Sequence, residues 1–167
     1  YERINDSTWT QHIIFHSDTL SSKLGAAALD IDNDGWTDVV YPHWWFQNPG
    51  NLADNPDTPW RGFVFDGKGH DIIAGDVNGD DRLDIIAYDG KKCYWFDPAQ
   101  NLTKYFIGES DDFHGGIAPH GFGDLDNDGD VDVVVPGLWF ANPGDGTGEW
   151  KENEWPHRAV ENASYGT

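Results

Sequence analysis

The sequence predicts an all-β chain built from three tandem four-stranded units of about 47 residues each, the size of a propeller blade. An acidic nine-residue motif recurs at residues 30–38, 76–84 and 124–132, and its starts lie 46 and 48 residues apart. A β-branched run, an aromatic pair and an Asn-Pro or Asp-Pro step follow each motif in the same order. Because 24 residues are Asp, a poor helix former, almost no place is left for helix.

Each unit is expected to contain strands A to D in order. Strand A is a stretch of small residues that enters the acidic loop, strand B is β-branched, strand C holds the aromatic pair, and strand D follows the proline turn. The predicted segments are 25–29, 71–75 and 119–123 for A; 39–40, 85–86 and 133–135 for B; 45–46, 95–96 and 139–140 for C; and 60–65, 102–107 and 155–160 for D.

The chain is therefore expected to be a single repeat domain, 1–167, with an additional D-like strand at 9–15 that completes a preceding or partner blade. The repeats are placed at 16–65, 66–107 and 108–160, and a tail follows at 161–167. Propellers close with about four to eight blades. We therefore expect either that the chain continues in a longer protein, or that copies associate into a larger propeller or array to bury their open sheet edges.

Charge and composition exclude several classes of protein. Acidic residues number 30 against 10 basic ones, a formal net charge of -20, so binding to the phosphates of a nucleic acid is not expected. The longest apolar runs are about five residues, far below the roughly 20 that a transmembrane helix needs, so we expect a soluble chain without membrane insertion. Cys93 is the single cysteine, which leaves no internal disulfide and no cysteine-rich zinc site.

The acidic loops predict calcium sites. Side-chain oxygens at positions 1, 3, 5 and 9 and the backbone carbonyl at position 7 supply the hard oxygen ligands that Ca²⁺ prefers. The predicted ligands are Asp30, Asp32, Asp34, Trp36 and Asp38 in loop 1; Asp76, Asn78, Asp80, Arg82 and Asp84 in loop 2; and Asp124, Asp126, Asp128, Asp130 and Asp132 in loop 3. An EF-hand is excluded because position 12 is Tyr41, Ala87 or Val135 instead of Glu. We expect up to three ions, with loop 2 the least regular site.

These loops and their surroundings resemble the integrin-like FG-GAP and VCBS repeats, whose units carry an Asp-x-Asp-x-Asp-Gly-x-x-Asp hairpin between two strands. The third unit reads Gly116-Ile117-Ala118-Pro119 followed by Phe122-Gly123, close to the motif that gives the family its name. The resemblance covers roughly residues 9 to 160. It implies a β-propeller with Ca²⁺ at its A–B hairpins, usually on secreted or cell-surface proteins that bind glycans or proteins or that flank an enzyme domain.

Aromatic residues and sequons add weaker signals. Trp45, Trp95 and Trp139 recur at one repeat position and are expected in the core. The tryptophans without full counterparts are ligand-binding candidates: Trp36, Trp44, Trp60 and Trp150. Asn5, Asn101 and Asn162 begin Asn-x-Ser/Thr sequons, which indicate surface glycosylation or arise by chance. Ser110, Asp111 and His114 lack the context of a nucleophile elbow, so no catalytic residue is predicted.

The function expected from the sequence is that of a non-catalytic, calcium-binding module at the cell surface or outside the cell, which adheres to a glycan or an extracellular protein. Two alternatives stay open. One is a structural subunit of an extracellular homopolymer, and the other is the propeller part of a polysaccharide-degrading enzyme.

Overall fold

Antiparallel strands and turns make up the described part of the chain, which comprises residues 2–16, 25–69, 71–110, 121–135 and 137–154. In this computed structural model those ranges contain no α-helix and one short 3-10 helix, Pro98–Gln100. The all-β prediction is confirmed. No helix in the described ranges is long and apolar enough to cross a membrane.

The described strands are two to seven residues long. In chain order they are β1 (Glu2–Asn5), β2 (Thr8–Thr10), β3 (Ala27–Leu29), β4 (Asp38–Tyr41), β5 (Trp44–Gln47), β6 (Arg61–Val64), β7 (Ile72–Gly75), β8 (Asp84–Asp89), β9 (Lys92–Asp97), β10 (Thr103–Glu109), β11 (Phe122–Gly123), β12 (Asp132–Val135), β13 (Leu138–Ala141) and β14 (Lys151–Glu154).

Twelve of these strands form three four-stranded sheets, β3–β6, β7–β10 and β11–β14, in which each strand pairs with its neighbour in sequence. We call them sheets 1, 2 and 3. β1 and β2 form a separate hairpin. The four described sheets do not make a closed propeller.

Strand D lies close to its predicted place in sheets 1 and 2, but not in sheet 3. There the fourth strand is β14, which pairs with β13 through Ala141 and Lys151 and ends before the predicted segment 155–160. That segment lies outside the described residues. The sequence Lys-Glu-Asn-Glu of β14 has no apolar alternation, which is why the prediction favoured the more aromatic stretch after it.

The predicted strand at 9–15 is mostly absent. Only Thr8–Thr10 is extended in a sheet, where it pairs with β1. The following residues nevertheless pack on sheet 1: the Ile14 carbonyl accepts a hydrogen bond of 2.8 Å from the Trp60 backbone amide. The Phe15 ring lies 4.7 Å from that of Phe46, measured between centroids. This segment thus covers one face of sheet 1 by side-chain packing without extending the sheet.

The apolar core lies between consecutive sheets. Successive side chains of a strand point to opposite faces, and in sheet 2 Ile72 and Ile85 pack against sheet 1. Their neighbours Ile73 and Ile86 pack against sheet 3. Sheet 2 is therefore apolar on both faces, and its strands hold half of the largest fully buried side chains.

Close approach between sheets explains the small residues of strand A. A Cβ on Gly25 would lie 2.2 Å from the backbone nitrogen of Ile72, and one on Gly75 would lie 3.0 Å from the Phe122 ring. A larger residue would push sheets 1 and 2, or sheets 2 and 3, apart. The prediction of a crowded first strand is confirmed at these two positions.

The turn after β13 joins sheet 3 to sheet 2. The Gly146 carbonyl accepts hydrogen bonds from the indole nitrogens of Trp95, at 2.9 Å, and Trp150, at 3.0 Å. Gly146 has φ +69°, and a Cβ there would lie 2.9 Å from Val77 Cγ1. Asn142 donates from Nδ2 to the Val77 carbonyl at 2.7 Å. Residues of sheet 3 thus hold loop 2 in place through these contacts.

Candidate functional site

The three acidic loops share one hydrogen-bond pattern. In loop 1, the position-1 carboxylate of Asp30 accepts from the backbone amides of Asp34, at 3.1 Å, and Gly35, at 3.0 Å. Asp76 in loop 2 and Asp124 in loop 3 accept from the amides at the same two offsets. Each loop is therefore wound around its first carboxylate, with the later acidic residues brought back towards it.

The backbone conformation of the loops follows from this winding. Position 4 has positive φ in every loop, at Asn33 (60°), Gly79 (73°) and Asn127 (65°), and so does position 6. Position 6 is Gly in loops 1 and 3 but Asp81 in loop 2, with φ 65°. Asp tolerates this left-handed region better than most residues. Loop 2 therefore keeps the shape of the others despite its different sequence.

The position-9 carboxylates tie each loop to its sheet. Asp38 and Asp132 are fully buried. Asp132 accepts from the backbone amides of Leu125, at 2.8 Å, and Asn142, at 2.9 Å. Asp38 accepts in the same way from Ile31 and Asn48. Each carboxylate oxygen can accept a further bond. These hydrogen bonds therefore fix the side chain and leave acceptor positions open.

Two of the loops bring three carboxylates together. Oxygens of Asp30, Asp32 and Asp38 lie within 4.8 Å of one another, and so do those of Asp124, Asp126 and Asp128. Ligands at 2.3–2.6 Å from one Ca²⁺ lie at most about 5 Å apart, so both groups have the spacing of a shared ion. Of the predicted side-chain ligands in loops 1 and 3, Asp34 and Asp132 stand outside these groups, and among the described residues loop 2 forms no such group of three.

The clustered carboxylates repel one another. Burial, followed by the charges of Asp32 and Asp34, raises the pKa of Asp38. Desolvation, followed by the charges of Asp128 and Asp132, also raises the pKa of Asp126. Both shifts disfavour the ionised form, and a bound cation would reverse that penalty.

Loop 2 contains a buried oxygen that no described group satisfies. Asp84, the position-9 residue, accepts from the Val77 amide through Oδ2 at 2.9 Å. Its Oδ1 is buried and has no hydrogen-bond partner. Burial and the neighbouring charges of Asp97 and Asp80 raise the pKa of Asp84 to about 7. The sequence analysis did not connect Asp97 with loop 2, because the Asp-Pro step that contains Asp97 was predicted only as a turn.

The tryptophans proposed as ligand contacts divide by exposure. Trp36 is 51% exposed, whereas Trp60 and Trp150 are only 8% and 7% exposed and belong to the packed interior. Trp44 is partly buried and stacks on Phe46 with an interplanar angle of 4°. Of the four, Trp36 alone is exposed over about half of its surface, at the rim of loop 1.

The recurring tryptophans also differ in burial. Trp95 is completely buried and stacks on Tyr105, and Trp45 stacks in the same way on Phe63. Trp139 is partly buried, and the residue paired with it on β14 is Asn153. The outer face of sheet 3 thus lacks the aromatic partner present in sheets 1 and 2.

The predicted sequons lie at accessible turns where they are described. Asn5 is exposed, and its Oδ1 accepts from the Ser7 amide and hydroxyl of the same sequon. Asn101 is exposed with φ 57°, directly after the 3-10 helix. Asn162, Asp111, His114 and the segment Gly116–Pro119 lie outside the described residues.

A histidine bridge lies beside the pocket under Trp60. Nδ1 of His12 lies 2.8 Å from an Asp57 oxygen, and Nε2 lies 3.0 Å from a Glu2 oxygen. The bridge joins β1 to the turn that precedes β6, next to a pocket of about 490 Å³ lined by Ile14 and Leu52. No signal in the sequence brings these three residues together, because they are far apart along the chain and follow no motif.

The bridge should make stability depend on pH. Hydrogen bonds to Asp57 and Glu2 raise the pKa of His12 above its ordinary value. The bridge therefore stabilises the fold fully below the unfolded pKa of about 6.5, and this contribution is lost as pH rises through the higher folded value. The difference in melting temperature between wild type and His12→Gln should shrink between pH 6 and pH 9. An equal difference at both pH values would contradict this assignment.

No protein-family model matches the chain, and neither a curated protein nor a solved structure matches it.

Proposed function

We propose that the chain is a calcium-loaded, non-catalytic repeat module that works in recognition outside the cell or at its surface. The observation that carries this proposal is the common winding of three acidic loops around their first carboxylate, with the same amide donors in each. A solvated acidic turn has no need of three closely similar copies. In an ion site the ligands must converge on one point, which fixes the conformation of the loop, so three such sites would share one geometry.

The donor set fits Ca²⁺ better than a softer metal. All side-chain ligands are carboxylate or amide oxygens, and the position-7 carbonyls of Trp36, Arg82 and Asp130 would add one more oxygen each. In loop 2 the buried Oδ1 of Asp84 has no hydrogen-bond partner, and burial and the charges of Asp97 and Asp80 disfavour the ionised form of that carboxyl, a penalty that a bound cation would reverse. Three Ca²⁺ ions would change the formal charge from -20 to -14 and relieve repulsion within the folded chain.

The propeller arrangement, and the FG-GAP or VCBS resemblance, belong to the same proposal. Three consecutive meanders packed face to face are what successive blades would look like. An extracellular setting suits this chemistry, because calcium modules outside the cell bind the ion with Kd values of about 0.1–1 mM.

Calorimetric titration with CaCl₂ tests the ion sites. We expect up to three sites in the wild type and one fewer in each of Asp30→Ala, Asp76→Ala and Asp124→Ala, since each change removes a position-1 carboxylate. Asp54→Ala is the matched control because Asp54 is an exposed acid outside the loops. Unchanged stoichiometry in all three loop variants, or no binding by the wild type, would refute the proposal.

Assembly with further repeats is a second candidate function, favoured by one observation. At position 2 of the loops, Ile31 is 5% and Val77 1% exposed beneath the next sheet, whereas Leu125 of sheet 3 is 41% exposed. The equivalent surface of sheet 3 is therefore apolar and open at this position. A structural subunit would cover it with a repeat from another copy or from a longer chain.

A further inference from the structure

The pocket beside the His12 bridge has mostly aliphatic walls. It encloses about 490 Å³, and its apolar lining includes Ile14, Val39, Leu52, Ala53 and Pro56. Val39 lies on the face of sheet 1 that points away from sheet 2, because its neighbour Val40 packs in the core between those two sheets. None of the predicted calcium ligands, all of which are described, lines this pocket. The pocket is therefore separate from the acidic loops.

Trp60 also lines this pocket and carries a buried hydrogen-bond donor. The residue is only 8% exposed, and its backbone amide is anchored on the Ile14 carbonyl. Its indole nitrogen Nε1 is buried, yet no acceptor among the described residues binds it. A buried donor without an acceptor is unfavourable, and a buried indole N–H usually has a partner. The wall of the pocket thus holds a donor whose acceptor the described chain does not supply.

Sheet 3 shows which acceptor serves a tryptophan at the same position. Trp150 immediately precedes β14, just as Trp60 immediately precedes β6, and both strands are the fourth of their sheet. The Trp150 indole donates to the Gly146 carbonyl at 3.0 Å. The Trp95 indole donates to the same carbonyl at 2.9 Å. Both of these buried indoles therefore use a peptide carbonyl.

The turn that leads to Trp60 is four residues longer than its counterpart in sheet 3. Trp60 follows Asn48 by 12 residues. Trp150 follows Asn142 by only 8. Each Asn donates its backbone amide to the position-9 carboxylate of its loop and accepts, through Oδ1, a bond of 3.0 Å from the amide two residues later. The two turns thus begin alike and diverge before the tryptophan.

Carbonyls of the longer turn are used within that turn. The Asn51 carbonyl accepts from the amides of Asp54, at 3.1 Å, and Asn55, at 2.9 Å. The Asn55 carbonyl accepts from the Thr58 amide at 3.2 Å and from the Thr58 hydroxyl at 2.9 Å. The same turn contributes Leu52 to the wall of the pocket. Sheet 1 therefore has a pocket at the position where sheet 3 has a turn with a free carbonyl for the indole.

The polar side of the pocket is satisfied by the chain itself. Glu2 and His12 line it and bind each other at 3.0 Å, and the other ring nitrogen of His12 binds Asp57. The Trp60 indole is the lining donor left without a partner among the described residues. A sugar would bury several hydroxyls against aliphatic walls and find one free donor, which is unfavourable. An aliphatic side chain next to a carbonyl oxygen, as in a peptide, fits both features.

We propose that this pocket binds an aliphatic residue in a peptide segment of a partner protein. The aliphatic side chain packs against Leu52 and Pro56. A backbone carbonyl of the same segment accepts from Trp60 Nε1, in the role that the Gly146 carbonyl has in sheet 3. This inference names the partner class for the recognition role proposed above and rests on that role, but it uses none of the calcium ligands.

Nuclear magnetic resonance of the full chain in calcium, with isotope-labelled tryptophan indoles, tests the pocket. The probe is N-acetyl-L-leucine amide, a capped residue with an aliphatic side chain and peptide carbonyls. We expect a saturable downfield shift of the Trp60 indole proton. The Trp95 and Trp150 indoles should hardly shift, since both already have an acceptor. Trp60→Phe identifies the resonance by its loss. N-acetyl-glycine amide lacks the side chain and should bind at least about ten-fold more weakly.

Two matched variants locate the contact. Ala53 is exposed and lines the pocket, so Ala53→Phe should fill the pocket and abolish the shift that the leucine amide causes at Trp60. Ala99 is exposed in the corresponding turn of sheet 2. Ala99→Phe therefore makes the same change away from the pocket and should leave the shift intact.

Four outcomes would overturn the proposal. No saturable shift at Trp60 would mean that the pocket binds no peptide or that another part of the chain already supplies the acceptor. Equal binding of the glycine amide would remove the aliphatic walls from the contact. A shift that survives Ala53→Phe would place the binding elsewhere. A shift caused by the sugar cellohexaose and not by the leucine amide would assign the pocket to a glycan.

Calcium titration of the same samples separates this proposal from the one on which it rests. Failure of the leucine amide to bind a chain that binds calcium fully would refute the pocket alone. Binding of the leucine amide to a chain that binds no calcium would refute the calcium sites alone.

Discussion

Calcium is expected to raise the melting temperature of the chain by more than any single substitution changes it. An ion that binds only the folded state at 100 times its Kd stabilises that state by about 2.7 kcal/mol per site. Three loaded loops would therefore contribute about 8 kcal/mol, which corresponds to a shift of roughly 16–30 °C for a chain of this size. Circular dichroism melts in calcium and in excess EGTA measure the difference. Identical melts would exclude a stabilising role for calcium.

Two substitutions in loop 3 separate the ion ligands from the structural acids. Asp128 is exposed, so Asp128→Ala should lower the melting temperature in calcium and leave it nearly unchanged in EGTA. Asp132 is buried and accepts two backbone amides, so Asp132→Ala should destabilise the chain in both conditions. The same response from both variants would show that loop 3 does not divide these roles.

Trp95→Ala is expected to destabilise the fold by about 3–5 kcal/mol, as large-to-small changes of buried aromatic residues do. Trp95 is completely buried between sheets 2 and 3, stacks on Tyr105 and donates to the Gly146 carbonyl. Its loss leaves a cavity and removes one of the two indole donors that hold the turn of sheet 3. Urea denaturation in calcium measures the change.

Trp36→Ala provides the matched control, because Trp36 is half-exposed at the rim of loop 1 and should cost less than about 1 kcal/mol. Trp139→Ala should lie between the two, since Trp139 is only partly buried and pairs with Asn153. A Trp95→Ala variant as stable as Trp36→Ala would mean that the junction between sheets 2 and 3 contributes little to stability.

The repeated parts of the fold were predictable, because each is determined by residues close together in sequence. The acidic loops, the β-branched strands after them and the aromatic strands follow from local pattern, and the structure has four-stranded meanders there. Recurrence at one repeat position predicted all three tryptophans in the core, which holds fully for Trp95, whereas Trp45 and Trp139 are partly exposed. Each unit of a repeat protein contacts only its neighbours, so residues that recur at one repeat position indicate where adjacent units pack.

The remaining features depend on contacts that leave no local pattern. β14 is polar throughout, and its place in sheet 3 is decided by pairing with β13 and by the buried Trp150 just before it. In sheet 2 Leu102 takes the place that Trp60 has before strand D of sheet 1. Because Trp60 therefore has no tryptophan counterpart there, it was predicted to contact a ligand, but it is buried. The bridge from His12 to Glu2 and Asp57 joins segments 45 residues apart, which no spacing rule anticipates.

The Asn142 side chain strengthens the junction between sheets 2 and 3 relative to the junction between sheets 1 and 2. Its amide reaches across to the Val77 carbonyl of loop 2. The matching residue of sheet 2 is Asp97, whose carboxylate oxygens accept instead from the backbone and side-chain amides of Gln100. We therefore expect sheet 1 to separate from sheet 2 more readily than sheet 3 does. We expect amide protons of β4 and β5 to exchange with solvent through an opening of lower free energy than that for β8 and β9. Unfolding would then begin in sheet 1.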